Sequence, residues 1–282
     1  MKLAIGTSTL IKRNWKNILP TWIMVFIEGV TLLLFPMLIG IAIDDLMNDS
    51  FSGLLKLGGL CGILLIAGSA RRYYDTRIYS NIYKNIALEI VQNEHEKKSD
   101  ASKTTARVNL FTEFIYFLED SMPGILNEVI NLLGALTIIF IISFKVFIVC
   151  IIAIIFMLIV YLLSQKYIFR YNHESNNQFE QQASAIKSRN NNNIKNHYNI
   201  MTRWRIKLSD LETMNYSIIW IILSAVLLFS VFIISSTPDM SYGKILSSIM
   251  YVFGFIQSLL SFPFFYQEII RLQEIASRLT QK

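Results

Sequence analysis

The chain alternates between long apolar runs and long polar ones. Apolar runs cover roughly 20–43, 54–70, 124–144, 146–163, 216–236 and 244–265. A bilayer's hydrocarbon core is about 30 Å thick and takes about 20 helical residues to cross, so each run reads as a transmembrane span. The second is short as apolar sequence but continues into a polar stretch of helical period. The third and fourth are separated by little more than Lys145, which calls for a tight turn or one extended apolar hairpin. The pattern predicts an all-α polytopic membrane protein with six spans in one transmembrane domain over 1–282.

The polar segments are not floppy loops. Between residues 69 and 122 there is neither Gly nor Pro. Ile78, Ile82, Ile86 and Ile90 recur every four residues, and Phe111, Phe114, Ile115, Leu118 and Met122 form a second helical stripe. A charged, short-side-chain break, Glu94 to Ser102, separates the stripes, and Ser99 or Asp100 is placed to cap the returning helix. Two helices that leave the membrane, turn and return would each project roughly 37 Å over about 25 residues. Segment 164–215 repeats the design. It has no Gly or Pro, and its midpoint is Arg189-Asn190-Asn191-Asn192-Asn193, a run that tolerates turns better than helix interiors.

Composition supports this picture: 53% of residues are apolar and 16% charged. The net charge of +6 would suit nucleic acid, but its distribution fits topology better. Lys plus Arg number four in 1–19, none in 44–53, eight in 71–121, one in 144–146, eight in 164–215, none in 237–242 and three from Tyr266 on. Basic residues gather on the cytoplasmic side, so both termini and both long polar segments are expected there, with no nucleic-acid partner. Residues 1–19, with Trp15, read as a cytoplasmic, interface-lying lead-in. A cleavable signal peptide is not expected, because the first apolar run is long and lacks a small-residue cleavage site. Cys61 and Cys150 lie in apolar runs and read as small core residues rather than a disulfide.

Local sequence then points to a family. Phe35-Pro36-Met37-Leu38-Ile39-Gly40-Ile41-Ala42-Ile43-Asp44 resembles the end of the first span in type I ABC exporters, where a Pro, a Gly and an Asp recur. Arg71-Arg72-Tyr73-Tyr74 through Val91, Ser102 through Asn109, and Glu268 through Leu279 resemble the family's stretches after the second span, after the first coupling turn, and in the last helix. Ala106-Arg107-Val108-Asn109-Leu110 with Phe117-Leu118-Glu119, and Trp204 through Glu212, are similar to a group of stand-alone six-span ABC-type membrane proteins. The resemblance implies one half of a transporter, working as a homodimer or as a heterodimer with a similar chain, with spans exchanged around a central cavity. It implies export by default and a bacterial inner membrane.

The ATPase half of that family is not matched. The sequence reaches Lys282 where that domain would begin, and no G-x-x-x-x-G-K-[ST] run occurs. The glycines Gly58, Gly59, Gly62 and Gly68 read as close helix packing. The chain is therefore not expected to be an enzyme or to hold a cofactor. ATP would come only through a separate subunit docked on two coupling turns, with Lys98, Asp100 and Arg107 at the first and Arg189 and Asn191 at the second.

Candidate pathway residues are polar groups inside the spans. Glu28 lies about eight residues past Pro20, roughly 12 Å from the cytoplasmic edge; Asn131 and Gln257 lie at similar depth. Glu128 precedes Asn131 by one turn on the same face. An acid in a span costs a few kcal/mol unless paired, protonated or facing water. Either Glu28 and Glu128 line a cavity and bind a cationic substrate or a proton, or Glu128 marks a helix end and Glu28 bonds a neighbouring span. The aromatics Tyr251, Phe253, Phe255, Phe262, Phe264, Phe265 and Tyr266 either form an apolar pocket or pack, and Pro263 is expected to kink or end the last helix. Two other functions compete: a proton-driven transporter of the same fold using Glu28 or Glu128, and a membrane interaction protein without flux. His95, His173 and His197 lack metal-ligand spacing. Hydrolase motifs are absent, and so are the repeated arginines of a voltage sensor.

Overall fold

The computed structural model describes residues 7–96, 101–188 and 190–280. Its elements in order are α1 (Thr7–Met47), α2 (Ser52–Glu96), α3 (Ala101–Tyr116), a π-helical turn (Phe117–Ser121), α4 (Met122–Ile142), α5 (Phe144–Lys187), α6 (Asn191–Ser235) and α7 (Tyr242–Thr280). Among the described residues, six helical segments are long and apolar enough to cross a membrane. The chain divides into two compact units, residues 1–142 with 234–282, and residues 143–233.

In the first unit α1 and α2 form an antiparallel pair. Asp49 closes the connection in the left-handed region at φ 56°, a conformation that short polar side chains tolerate, and Ser50 N–H donates to Asp45 O at 2.8 Å. The lead-in is not a separate segment: residues 7–19 form the start of α1, continuous through Pro20. Arg13 pairs with Glu89 at 2.9 Å, and Tyr74 Oη donates to Asn17 O at 3.3 Å.

The α2–α3 hairpin folds as its two stripes dictate. Tyr79, Ile82, Ile86 and Ile90 of α2 pack against Phe111, Phe114, Ile115 and Leu118, and Ile18 of α1 and Ile275 of α7 complete the cluster. Phe111 is fully buried and stacks on Tyr83 at 6.4 Å between centroids. Near the turn, Arg107 is ion-paired with Glu94, whose side chain is buried. The candidate caps Ser99 and Asp100 lie outside the described residues, as do Lys98 and Arg189.

α7 closes the unit. Pro263 does not end it; the helix continues to Thr280. Its N-terminus is capped from α1: Asp44 accepts Ser241 Oγ at 2.5 Å and Gly243 N–H at 2.8 Å. One turn below, a Cβ on Gly40 would overlap Gly243 and Ser247, and one on Gly243 would overlap Gly40. A further turn down, Ser247 Oγ donates to Pro36 O at 2.8 Å. Pro36, Gly40 and Asp44 recur every four residues, so one face of α1 carries the whole contact. The glycine cluster in α2 behaves otherwise. A Cβ at Gly58, Gly59 or Gly62 would meet nothing within 4 Å, so these glycines make no close packing within the chain. Cys61 beside them is exposed rather than a core residue, whereas Cys150 is buried.

The second unit is the antiparallel pair α5–α6. The helical break falls at Ser143, two positions before Lys145, because Ser143 caps α5: its Oγ accepts Val146 N–H at 3.5 Å. Val146, Cys150, Ala153, Met157 and Ser164 on α5, and Asn215, Ile219, Leu223, Val226 and Ser230 on α6, are buried at helical spacing. Ser164 Oγ donates to Asn215 Oδ1 at 2.7 Å. The far turn lies within the asparagine run as expected. Asn190 Oδ1 accepts Asn192 N–H at 2.9 Å and caps α6, which leaves Asn191 exposed at its first position.

Candidate functional site: a polar layer between α1, α2, α4 and α7

Two buried polar clusters cross the first unit. One lies between α1 and α2. Arg71 Nε donates to Glu28 Oε2 at 2.6 Å and Arg71 Nη1 to Asp75 Oδ2 at 3.1 Å, and the Asp75 side chain is 3% exposed. Two acids share one guanidinium, with little water to screen the three groups from one another. Among the described residues, Asp75 Oδ1, Thr21 Oγ1 and Tyr79 Oη are buried with no partner in good hydrogen-bonding geometry. Arg71 follows the apolar run of α2 directly. Because α1 and α2 are antiparallel, its contact with Glu28 sets Glu28 level with the end of that run. Glu28 is thus level with the polar end of that run, and its charge is matched by an arginine.

The other cluster lies between α4 and α7. Asn131 Nδ2 donates to Ser258 Oγ at 2.9 Å and to Gly254 O at 3.2 Å, and Ser258 Oγ donates to Glu128 Oε2 at 2.6 Å. The three side chains thus form one continuous hydrogen-bonded chain from Asn131 through Ser258 to Glu128. Gly254 makes room for it: a Cβ there would sit 3.3 Å from Asn131 Oδ1. α1 joins at Gly29, whose Cβ would lie 2.8 Å from Asn127 Oδ1, itself a buried acceptor with no donor among the described residues.

Of the residues expected at the site, Glu128 and Asn131 are brought together and Glu28 stands on the neighbouring helix. Gln257 is exposed; its neighbour Ser258 faces the cluster instead. Tyr251 is buried and donates to Leu33 O at 3.1 Å, an α1–α7 tie. The aromatics of α7 do not gather into a pocket: Phe255 is buried, whereas Phe253, Phe262, Phe264 and Tyr266 are exposed. Sequence reasoning missed Arg71, Asp75 and Ser258 as site residues. The i, i+4 spacing of Arg71 and Asp75 was the available signal for the first two. Of the residues assigned to the coupling turns, Arg107 holds the first hairpin together and Asn191 opens α6.

Residues 8–243 match a protein-family model described as the ABC transporter transmembrane region. A search of curated protein sequences finds no match.

Proposed function

The chain belongs to the family of ABC transporter transmembrane regions, and we propose that it is the membrane subunit of an exporter that moves its substrate by alternating access. The working unit is a homodimer or a heterodimer with a similar chain, and ATP is hydrolysed on a separate subunit seated on the two coupling segments, 96–104 and 187–195. Both termini and both turns face the cytoplasm of a bacterial inner membrane. The observation that carries this reading is the construction of the first hairpin. A lever that transmits force from a docked ATPase must be stiff. This one has a continuous aromatic and isoleucine core, an ion pair between Glu94 and Arg107 near its tip, and the Glu28–Arg71–Asp75 cluster at its base. Such packed elements pass displacement along rather than absorb it.

The test is affinity purification of the tagged protein in mild detergent, followed by mass spectrometry and an ATPase assay. A stoichiometric ATPase subunit, lost on substitution at Asp100 and Asn191, is the expected result. A homodimer that transports without any ATPase refutes it. That outcome favours the second reading, proton-driven transport. One observation recommends it: Glu128 lies in an apolar span and its only described partner is the Ser258 hydroxyl. On that reading Glu128→Gln abolishes flux and an uncoupler stops the wild type.

A further inference from the structure

Asp75 lies past the apolar run of α2, where α1, α2 and the π-helical turn meet, and its side chain is 3% exposed. Among the described residues its one ion-pair partner is Arg71, and Arg71 is shared. Glu28 takes the shorter bond, 2.6 Å against 3.1 Å, and is the more exposed of the two acids, 13% against 3%. The far oxygen of Asp75 has less support. Oδ1 is buried beside Thr21 and Tyr79 with no partner in good hydrogen-bonding geometry among the described residues. Glu119 on the π-helical turn is a third acid facing the group, with Asp120 next to it. With Glu28, Asp75 and Glu119 all ionised, three carboxylates would face one guanidinium.

We infer that Asp75 is a proton-binding site: its carboxyl takes up a proton on Oδ1 as α1, α2 and the π-helical turn close on it, and releases that proton to water when they part. The chemistry is a plain ionisation, COOH to COO⁻ and H⁺, with water as the acceptor. A carboxylate taken out of water with one oxygen unsupported is costly enough that the group neutralises instead. Acids crowded onto one site also leave one of them protonated. Glu28 keeps the charge, because it has the shorter ion pair and more water; Asp75 takes the proton. Its bond from Arg71 survives, since Oδ2 still accepts from Nη1. Burial pushes the Asp75 carboxyl up from its ordinary pKa, and the Glu28 charge adds to that rise; Thr21 and Arg71 pull the other way. π-helical turns frequently mark functional sites, and this one carries Glu119 to the cluster. Opening the cluster returns water to Asp75, and the proton leaves. Proton uptake is thereby coupled to closure at the base of the hairpin, whatever drives the cycle, so the inference stands if no ATPase is found.

Infrared spectroscopy of the purified full-length protein in detergent reads this directly, because a protonated carboxyl has a C=O stretching band that a carboxylate lacks. At pH 6 an ordinary aspartate, with a pKa of about 3.9, is about 99% ionised. The protein should still show the band there. Aspartate with a heavy-isotope carboxyl should shift it, and labelled glutamate should not. Asp75→Asn should lack it, and Asp49→Asn, at an exposed position, should retain it. Glu28→Gln leaves Arg71 to Asp75 alone, so the band should titrate away at a lower pH than in the wild type. Stability gives a second readout. The folded pKa lies above the unfolded one, so the stabilisation is complete at low pH and is lost as pH rises through the folded value. The melting temperature of the wild type relative to Asp75→Asn should fall accordingly as pH rises. No band at pH 6 overturns the inference. So does a band that follows the glutamate label, which would place the proton on Glu28, Glu119 or another glutamate, and so does one that survives in Asp75→Asn. An unchanged titration in Glu28→Gln overturns the role of the shared arginine. If Asp75→Asn does not fold, the labelled wild type and Glu28→Gln decide.

Discussion

Replacing Gly40 by Ala tests the contact on which the first unit closes. The new methyl would meet Ser247 Oγ and the backbone of Gly243, whose carbonyl carbon lies 2.9 Å from its position. A side chain could rotate away, but a backbone carbonyl cannot. α1 and α7 must therefore separate by about 1 Å to restore ordinary carbon–carbon contact. That shift stretches the Ser247–Pro36 bond of 2.8 Å and the two bonds on Asp44 at 2.5 and 2.8 Å. Overpacking costs about 1–3 kcal/mol, and weakening a charge-assisted pair of hydrogen bonds adds about 1 kcal/mol or more, so the variant should lose about 2–4 kcal/mol in total. For a chain of this size that corresponds to roughly 5–10 °C in apparent melting temperature. The assay is thermal unfolding in one detergent at one scan rate, followed by intrinsic fluorescence. Gly59→Ala is the control. Nothing lies within 4 Å of its Cβ, and Ala is the better helix former by about 1 kcal/mol, so it should melt with or slightly above the wild type. If Gly40→Ala melts within a degree or two of Gly59→Ala, the account of the α1–α7 crossing is wrong.

Other substitutions probe the polar layer. Arg71→Gln leaves two buried carboxylates without their cation and should cost about 3–5 kcal/mol, whereas Glu28→Gln keeps Arg71 on Asp75 and should cost less; a denaturation series on both and on the double variant measures the coupling. Asn131→Ala removes two hydrogen bonds to α7 and leaves Ser258 with one, at about 1–2 kcal/mol, read as a lowered melting temperature. In detergent, N-ethylmaleimide should modify Cys61 at once and Cys150 only after denaturation, because the first is exposed and the second buried; equal rates would contradict the burial of Cys150 in the α5–α6 seam.

The hairpin core was legible because Ile78 to Ile90 and Phe111 to Met122 are apolar stripes on otherwise polar helices, so only one face could be buried. The six spans were legible for the same reason in reverse: a run apolar all round has nowhere to go but lipid. That uniformity also hid the inward faces. On α7, Gln257 and Ser258 differ by about 100° around the axis, and nothing in a run of Phe, Leu and Ile says which points inward. The glycines were equally ambiguous: Gly40 and Gly243 meet each other, Gly59 meets nothing, and composition does not distinguish them. Glu28 was found by its charge, but its partner Arg71 is distant in sequence. Apolar residues mark α1 from Pro20 on, yet the first turns of that run lie against the polar part of α2.

The cap on α7 also sets an order of events. Asp44 and Ser241 are separated by 197 positions, and a ribosome moving at about 5–20 residues per second needs on the order of 10–40 s to cover them. For that interval α1 and α2 exist with the Pro36–Gly40–Asp44 face uncovered, while the whole of the second unit is made. The first unit is thus complete only when its last helix arrives. A chain halted after α6 would carry an open seam along α1 in the membrane, a natural handle for whatever surveys half-made membrane proteins.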